Sequence, residues 1–329
     1  VFILLGSFLV HNFDSIGQDI GRHLKIGDII WQTKEVPKTN LFSFTEPDFL
    51  FVNHHWLSEV ILFGIFSLIG FTGLIFLKII MVLSSFLLLF FLVKKYATFW
   101  PILISLLISI PIFISRTEVR PEIFSFLILS FFLFVLFGEK YKGSTLDLQK
   151  GRTLSLLWFL PVAQLLWVNL HIYFFIGPLV FLFFLIDRVV NKKTNPKSEA
   201  LNPKQYQNPN TKNSKQFRTF RFRIWNLFRV SNLEFRIFIL VILATLVNPA
   251  GIHGALLPLN ILKEYGYSIV ENQTLSFLAD FFGFNLSIFV FKASVVVLVV
   301  SFLLTFKNFK KRIFEVLISA FFIYAGFKM

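Results

Sequence analysis

The chain contains no cysteine, and only two of its 329 residues are methionine. Disulfides and thiolate metal sites are therefore excluded. Charge is also scarce. Asp, Glu, Lys and Arg make up 15% of the chain, against roughly 25% in ordinary soluble domains. The opening segment VFILLGSFLV has neither a basic n-region nor a small-residue cleavage site, so it does not read as a signal peptide. It reads as the end of a first membrane helix. The chain begins without Met and closes just inside a hydrophobic segment, so truncation at both ends is expected. No stretch reads as a separate soluble domain, and residues 1–329 read as one transmembrane unit.

What the chain does hold is apolar. Hydrophobic residues make up 56% of it, 47 residues are Phe, and the mean hydropathy is +0.73. Long uncharged runs predict an all-α polytopic membrane helix bundle of about nine spans. After the first, spans are expected at about 72–93, 99–115, 121–138, 153–170, 172–187, 235–249, 285–306 and from 313 onward. The apolar stretch 57–70 is too short to cross comfortably and predicts an interfacial helix. With that stretch not crossing, segments 94–95, 139–152, 188–236 and 307–312 face one side and hold 22 of the 32 Lys and Arg residues. The other side receives 12 of the 18 carboxylates and all six histidines. The positive-inside rule makes the basic side cytoplasmic, which predicts a multi-pass protein of a bacterial inner membrane with the 11–59 loop outside. The Asn/Lys/Pro-rich segment 188–234 is expected to be a disordered cytoplasmic loop. This placement of charge explains the net +14 through topology and argues against a nucleic-acid partner.

The candidate chemistry gathers on the other side. The polar stretch 11–59 holds Asp14, Asp19, His23, His54, His55 and Glu59. Three later clusters would lie at the same surface: Arg116, Glu118, Arg120 and Glu122; Trp167, Asn169 and His171; and Asn248, His253 and Glu271. Ionisable groups at helix ends around one cavity mark a functional site. Asp19 and Asp14 fit the role of base toward an acceptor hydroxyl, or that of solvated turn and cap residues. Arg116 and Arg120 fit bidentate phosphate contacts, or pairing with Glu118 and Glu122 as a structural knot. His54, His55 and Glu59 fit acceptor orientation or, with an Asp, a divalent metal, though the metal is the less favoured use. Lys78, in the outer third of its span, is expected to snorkel.

Six motifs in order carry a resemblance to a known group: DIGRHLKIG (Asp19 to Gly27), PKTNLFSFT (Pro37 to Thr45), FVNHHWLSE (Phe51 to Glu59), RPEIFSFL (Arg120 to Leu127), WVNLH (Trp167 to His171) and NPAG (Asn248 to Gly251). Over nearly its whole length the chain resembles bacterial multi-spanning proteins related to the GT-C glycosyltransferases. It departs from their pattern at Arg22, Asn40 and His55, where the group often has Trp, Asp and Glu. The resemblance implies a GT-C-type fold with juxtamembrane helices in the first outer loop. It also implies a polyprenyl-phosphate-linked sugar donor and an envelope glycan, lipid or protein acceptor. An acidic first-loop residue would act as base or position the acceptor, here Asp19 with His23 beside it. Two other readings remain open: a transporter or flippase of a lipid-linked precursor, and a non-catalytic membrane scaffold.

Overall fold

The computed structural model describes residues 1–10, 19–114, 118–141, 156–191, 233–260 and 273–328. The described residues fold as α-helices with short 3-10 turns. Their one β-type pairing is an isolated antiparallel bridge between Thr39 and Leu50. Four helical segments are long and apolar enough to cross a membrane: Phe71–Val93, Glu122–Lys140, Ile172–Asn191 and Leu286–Leu304. In the order used below, the helices are α1 (Phe2–Phe8), α2 (Ile20–Thr33), α3 (Trp56–Ile69), α4 (Phe71–Val93), α5 (Phe99–Ile114), α6 (Glu122–Lys140) and α7 (Phe159–Leu170). They continue with α8 (Ile176–Asn191), α9 (Leu233–Ala244), α10 (Gly251–Leu256), α11 (Leu275–Phe282), α12 (Leu286–Leu304) and α13 (Ile313–Lys328).

The hydropathy expectation of about nine spans counted several segments that fold as shorter helices. α7 stops at His171, whose extended backbone (φ −161°, ψ 146°) ends the α-helix before the next segment begins. α9 stops at Ala244, ahead of the turn that leads into Asn248 and Pro249. The short apolar stretch expected at 57–70 is α3, 14 residues long. At 1.5 Å per residue it reaches about 21 Å, short of the ~30 Å hydrocarbon layer. Gly70, at φ +71° and ψ −157°, lets α4 begin at the very next residue.

α2 packs along α3 at very close range. Gly27 permits this, because a Cβ there would overlap the carbonyl oxygen of Glu59 and lie 2.7 Å from Phe63 Cβ. The face of α2 turned inward carries Ile20, His23, Leu24, Ile26, Gly27 and Ile30. α2 therefore spends its apolar stripe on α3 and is not simply an interfacial helix laid on lipid. A second centre of packing joins α6, α7, α8, α9 and α13 through Phe132, Trp167, Phe181, Phe184, Ile237 and Phe314, all fully covered. Between membrane helices such contacts act through dispersion and fit, since lipid is as apolar as the side chains.

The bundle has two chemically distinct ends. At one end, Lys140 Nζ donates to Asp187 Oδ1 at 3.1 Å and to Glu315 Oε2 at 2.5 Å, and Tyr141 donates to Glu315. Asp187 also accepts from Asn191 Nδ2 and from the backbone N–H of Phe314 at the start of α13. Arg188 Nη2 donates to the carbonyl of Glu139 at 2.6 Å and its Nε lies 3.4 Å from Glu234. Burial, then the bond to Glu315, pushes the Tyr141 phenol above its ordinary range. Lys140, Tyr141, Arg188 and Glu234 come from segments that charge parity assigned to one side, and Asp187 and Glu315 from the adjoining ends of expected spans. The opposite helix ends carry the histidines.

Candidate functional site

The site grows from the α2–α3 contact. His23 lies one helical turn before Gly27 and is carried into the interface by that close approach. Its Nδ1 is 2.9 Å from Glu59 Oε1 on α3. The other oxygen of Glu59 accepts from Asn53 Nδ2 at 2.6 Å. Glu59 is fully buried, and His23 and Asn53 nearly so. Both carboxylate oxygens are thus engaged, as a buried carboxylate requires. Asn53 also shapes the corner before α3, because its Oδ1 accepts the backbone N–H of His55 at 3.0 Å.

Three further imidazoles surround this pair. His54 and His55 adjoin at 4.0 Å between ring centroids, His55 meets His23 edge-on at 5.7 Å, and His55 stacks on His171 at 5.1 Å and 25°. His54 Nδ1 is held by the carbonyl of Val52 at 3.1 Å. His171 Nδ1 is 2.8 Å from Ser125 Oγ, which in turn accepts from Trp167 Nε1 at 2.7 Å. Among the described residues, His55 Nδ1 is covered and has no hydrogen-bond partner. Trp56 Nε1 donates to Asn169 Oδ1 at 2.7 Å, and Asn169 Nδ2 reaches the carbonyls of Leu165 and Val247. The site therefore ties together α2, α3, α6, α7 and the segment after α9.

Burial keeps His54, His55 and His171 neutral. His54 and His55 retain some solvent contact, yet dehydration of the rings dominates. Burial lowers His54 to about 4, against the opposing pull of its bond to Val52. Burial and then the neighbouring His54 lower His55 well below its ordinary range. Burial lowers His171 to about 3. Arg22, half-buried on α2, adds to the depression of His54 and His55. At neutral pH these three rings are hydrogen-bonding groups without charge. Among the described residues no three His, Asp or Glu side chains are placed to hold a metal ion.

The sequence candidates separate as follows. His23, His54, His55, Glu59, Asn169 and His171 form one cluster. Asp19 is exposed at the start of α2, one turn before His23, and its side chain makes no capping bond. Asn248 closes its own turn, donating to the carbonyls of Thr245 and Gly251 and accepting from Ala250 N–H. Glu118 and Arg120 form an ion pair with each other, one of the pairings in the structural-knot reading. Between them, Val119 is 1% exposed and packs against Ile20, Leu24, Leu62 and Leu74. That wedge sets the Glu118–Arg120 elbow against the helix that carries His23. Lys78 is 2% exposed and shares a pocket with Glu118 and Glu122, so it points into the bundle and does not snorkel. Asp14, Arg116 and Glu271 lie outside the described residues, as does the loop 192–232.

Sequence reasoning missed Asn53 and Ser125. Asn53 stands beside the histidine pair and could have been included on that ground. Ser125 sits in an apolar run, where nothing distinguishes it from a serine bonded to its own helix. No family model matches the chain, and neither a curated protein nor a solved structure matches it.

Proposed function

We propose that the protein is an integral-membrane glycosyltransferase of the GT-C kind, moving a sugar from a polyprenyl-phosphate donor to an envelope acceptor. The reading rests on the resemblance of the ordered motifs and, in the structure, on one observation. A buried His23–Glu59–Asn53 cluster, backed by neutral His54, His55 and His171, lies at one end of a bundle of membrane-length helices. With Nδ1 held by Glu59, His23 keeps Nε2 for a proton. In the proposed step the acceptor hydroxyl attacks the anomeric carbon, its proton passes to His23 Nε2, and polyprenyl phosphate leaves. General-base assistance of this kind contributes about 10²–10⁴-fold. The base role falls to His23, whose ring Glu59 holds, more naturally than to Asp19, whose exposed carboxylate makes no capping bond to α2. Arg22, whose charge is felt by His54 and His55, and Arg120, beside the Val119 wedge, are the cations this reading assigns to the departing phosphate. The neutral imidazoles of His54, His55 and His171 suit a polyhydroxylated substrate.

The test is transfer from radiolabelled polyprenyl-phosphate sugars in proteoliposomes, with membrane-lipid and glycan fractions as acceptors. The expected result is protein-dependent labelling of an acceptor that His23→Ala abolishes. Labelling unaffected by His23→Ala removes His23 from the reaction, and no transfer from any polyprenyl-phosphate sugar removes the enzyme class. A second reading, transport of a lipid-linked precursor, is favoured by one observation: Lys78 is buried within a membrane-length helix beside Glu118 and Glu122. Loss of precursor movement across vesicles in Lys78→Met, with chemistry at the histidine cluster irrelevant, is its signature.

A further inference from the structure

Between α2 and α3 the chain turns back on itself as a narrow finger. The Thr39–Leu50 bridge closes its base, with Asn40 N–H donating to the Phe49 carbonyl at 3.0 Å and Phe51 N–H to the Lys38 carbonyl at 2.8 Å. At the tip, Phe42 N–H donates to Asn40 Oδ1, Glu46 N–H to Ser43 Oγ, and Phe49 N–H to the Glu46 carbonyl. The finger thus satisfies much of its own backbone and offers side chains outward. Those side chains are the wrong ones for water: Phe44 is 94% exposed, Leu50 80% and Phe49 64%, with Leu41 and Phe42 about half exposed.

We propose that this finger is a lipid anchor, which inserts Phe42, Phe44 and Phe49 into the interfacial layer of the membrane that the bundle occupies. Three observations select lipid as the occupant. The finger cannot reach far: some six residues out and six back extend at most about 20 Å. Its base also leans on α2, sharing a pocket with Arg22 and Ile26. The finger leads within a few residues into α3, whose far end continues as exposed apolar surface through Leu68, Ile69 and Phe71 to Phe76 and Ile80 of α4. That surface belongs to a helix of membrane-crossing length, so α3 joins the finger directly to an element that the membrane reading places in lipid. Finally, residues 39–51 hold no Lys or Arg, while Glu46 and Asp48 are exposed. The finger is therefore an aromatic anchor and not a polybasic one, suited to neutral headgroups and opposed by anionic ones. Its place directly before Asn53 means that anchoring holds the His54–His55 corner at a fixed depth. The proposal needs only the membrane reading and is independent of the transferase reading.

The absence of cysteine supplies the experiment. Phe44→Cys in the full chain carries an environment-sensitive fluorophore in phosphatidylcholine vesicles, and Lys25→Cys on the exposed side of α2 carries the same label as a water-facing control. The expected result is roughly twofold or greater quenching at position 44 by lipids brominated along the acyl chain, with protection from aqueous iodide. Replacing part of the phosphatidylcholine by anionic lipid lessens the bromine quenching. Phe49→Cys repeats the measurement, so a folding defect at one position does not decide the matter. Iodide quenching at both finger positions equal to that at position 25, with no response to brominated lipid, overturns the proposal and leaves the finger for a partner in water.

Discussion

Gly27→Ala offers a sharp probe of the α2–α3 contact. The added methyl overlaps the Glu59 carbonyl and lies 2.7 Å from Phe63 Cβ, both within the neighbouring helix and neither the loose end of a side chain. Backbone cannot swing aside, so α2 has to retreat from α3 by about 1 Å, with an overpacking cost of ~1–3 kcal/mol. The same retreat stretches the 2.9 Å His23–Glu59 contact beyond hydrogen-bond range. Losing a buried hydrogen bond to a carboxylate costs a further ~1.5–3 kcal/mol. The total is about 2.5–6 kcal/mol, or a fall of roughly 4–9 °C in unfolding midpoint for a chain of this size. Intrinsic Trp fluorescence of detergent-solubilised protein measures it, and Gly21→Ala is the control, since a Cβ there meets nothing within 4 Å. Equal midpoints for the two variants would refute the reasoning, because they would mean that α2 does not lie this close to α3.

Other consequences can be checked in parallel. His54 and His171 titrate near 4 and 3 in the folded protein, below the ordinary 6.5. The unfolded chain therefore binds more protons in between, and the stability that these rings contribute is complete above about pH 6.5. It falls as pH drops toward 4, by up to about 1.4 kcal/mol per pH unit for each ring, and midpoints measured from pH 7.5 to 4.5 should decline accordingly. Lys140→Met leaves Asp187 and Glu315 facing each other without their shared cation, an expected loss of about 3–5 kcal/mol. Chemical unfolding should show that loss, with part of it recovered by adding Asp187→Asn. Trp56→Phe removes the donor to Asn169 while keeping an aromatic ring. It should cost roughly 1 kcal/mol in unfolding free energy, because a covered acceptor loses its partner.

Legibility from sequence followed how unusual a residue is in its surroundings. His54, His55, Glu59 and His171 stood out because imidazoles and a carboxylate at apolar helix ends are costly without a role, and the structure gathers them. α3 was legible as a short helix because its apolar run, 57–70, is too short to cross comfortably. Lys140, Asp187 and Glu315 were hidden for the opposite reason. Each lies at a helix end near other charges, where a topogenic or solvated role explains it equally well, and only packing shows that they meet. Lys78 was read as snorkelling because hydropathy gives depth along a helix but not direction around it. Its direction depends on α6, whose Glu122, Ile123 and Phe126 line the pocket it enters. Gly27 carried no signal at all, since a helical glycine becomes meaningful only once its neighbouring helix is known.

The central claim, that Glu59 holds His23 as the base of a transfer reaction, is tested most directly by kinetics of Glu59→Gln in proteoliposomes. Both oxygens of Glu59 accept, one from His23 and one from Asn53. A glutamine has one acceptor, so one of those donors must face its amide NH₂. The account predicts that sugar transfer falls about 10²-fold or more in kcat, with little change in KM for the polyprenyl-phosphate donor. Transfer by Glu59→Gln at the unaltered rate would contradict it, because a base that needs no partner at Nδ1 is not the one described here.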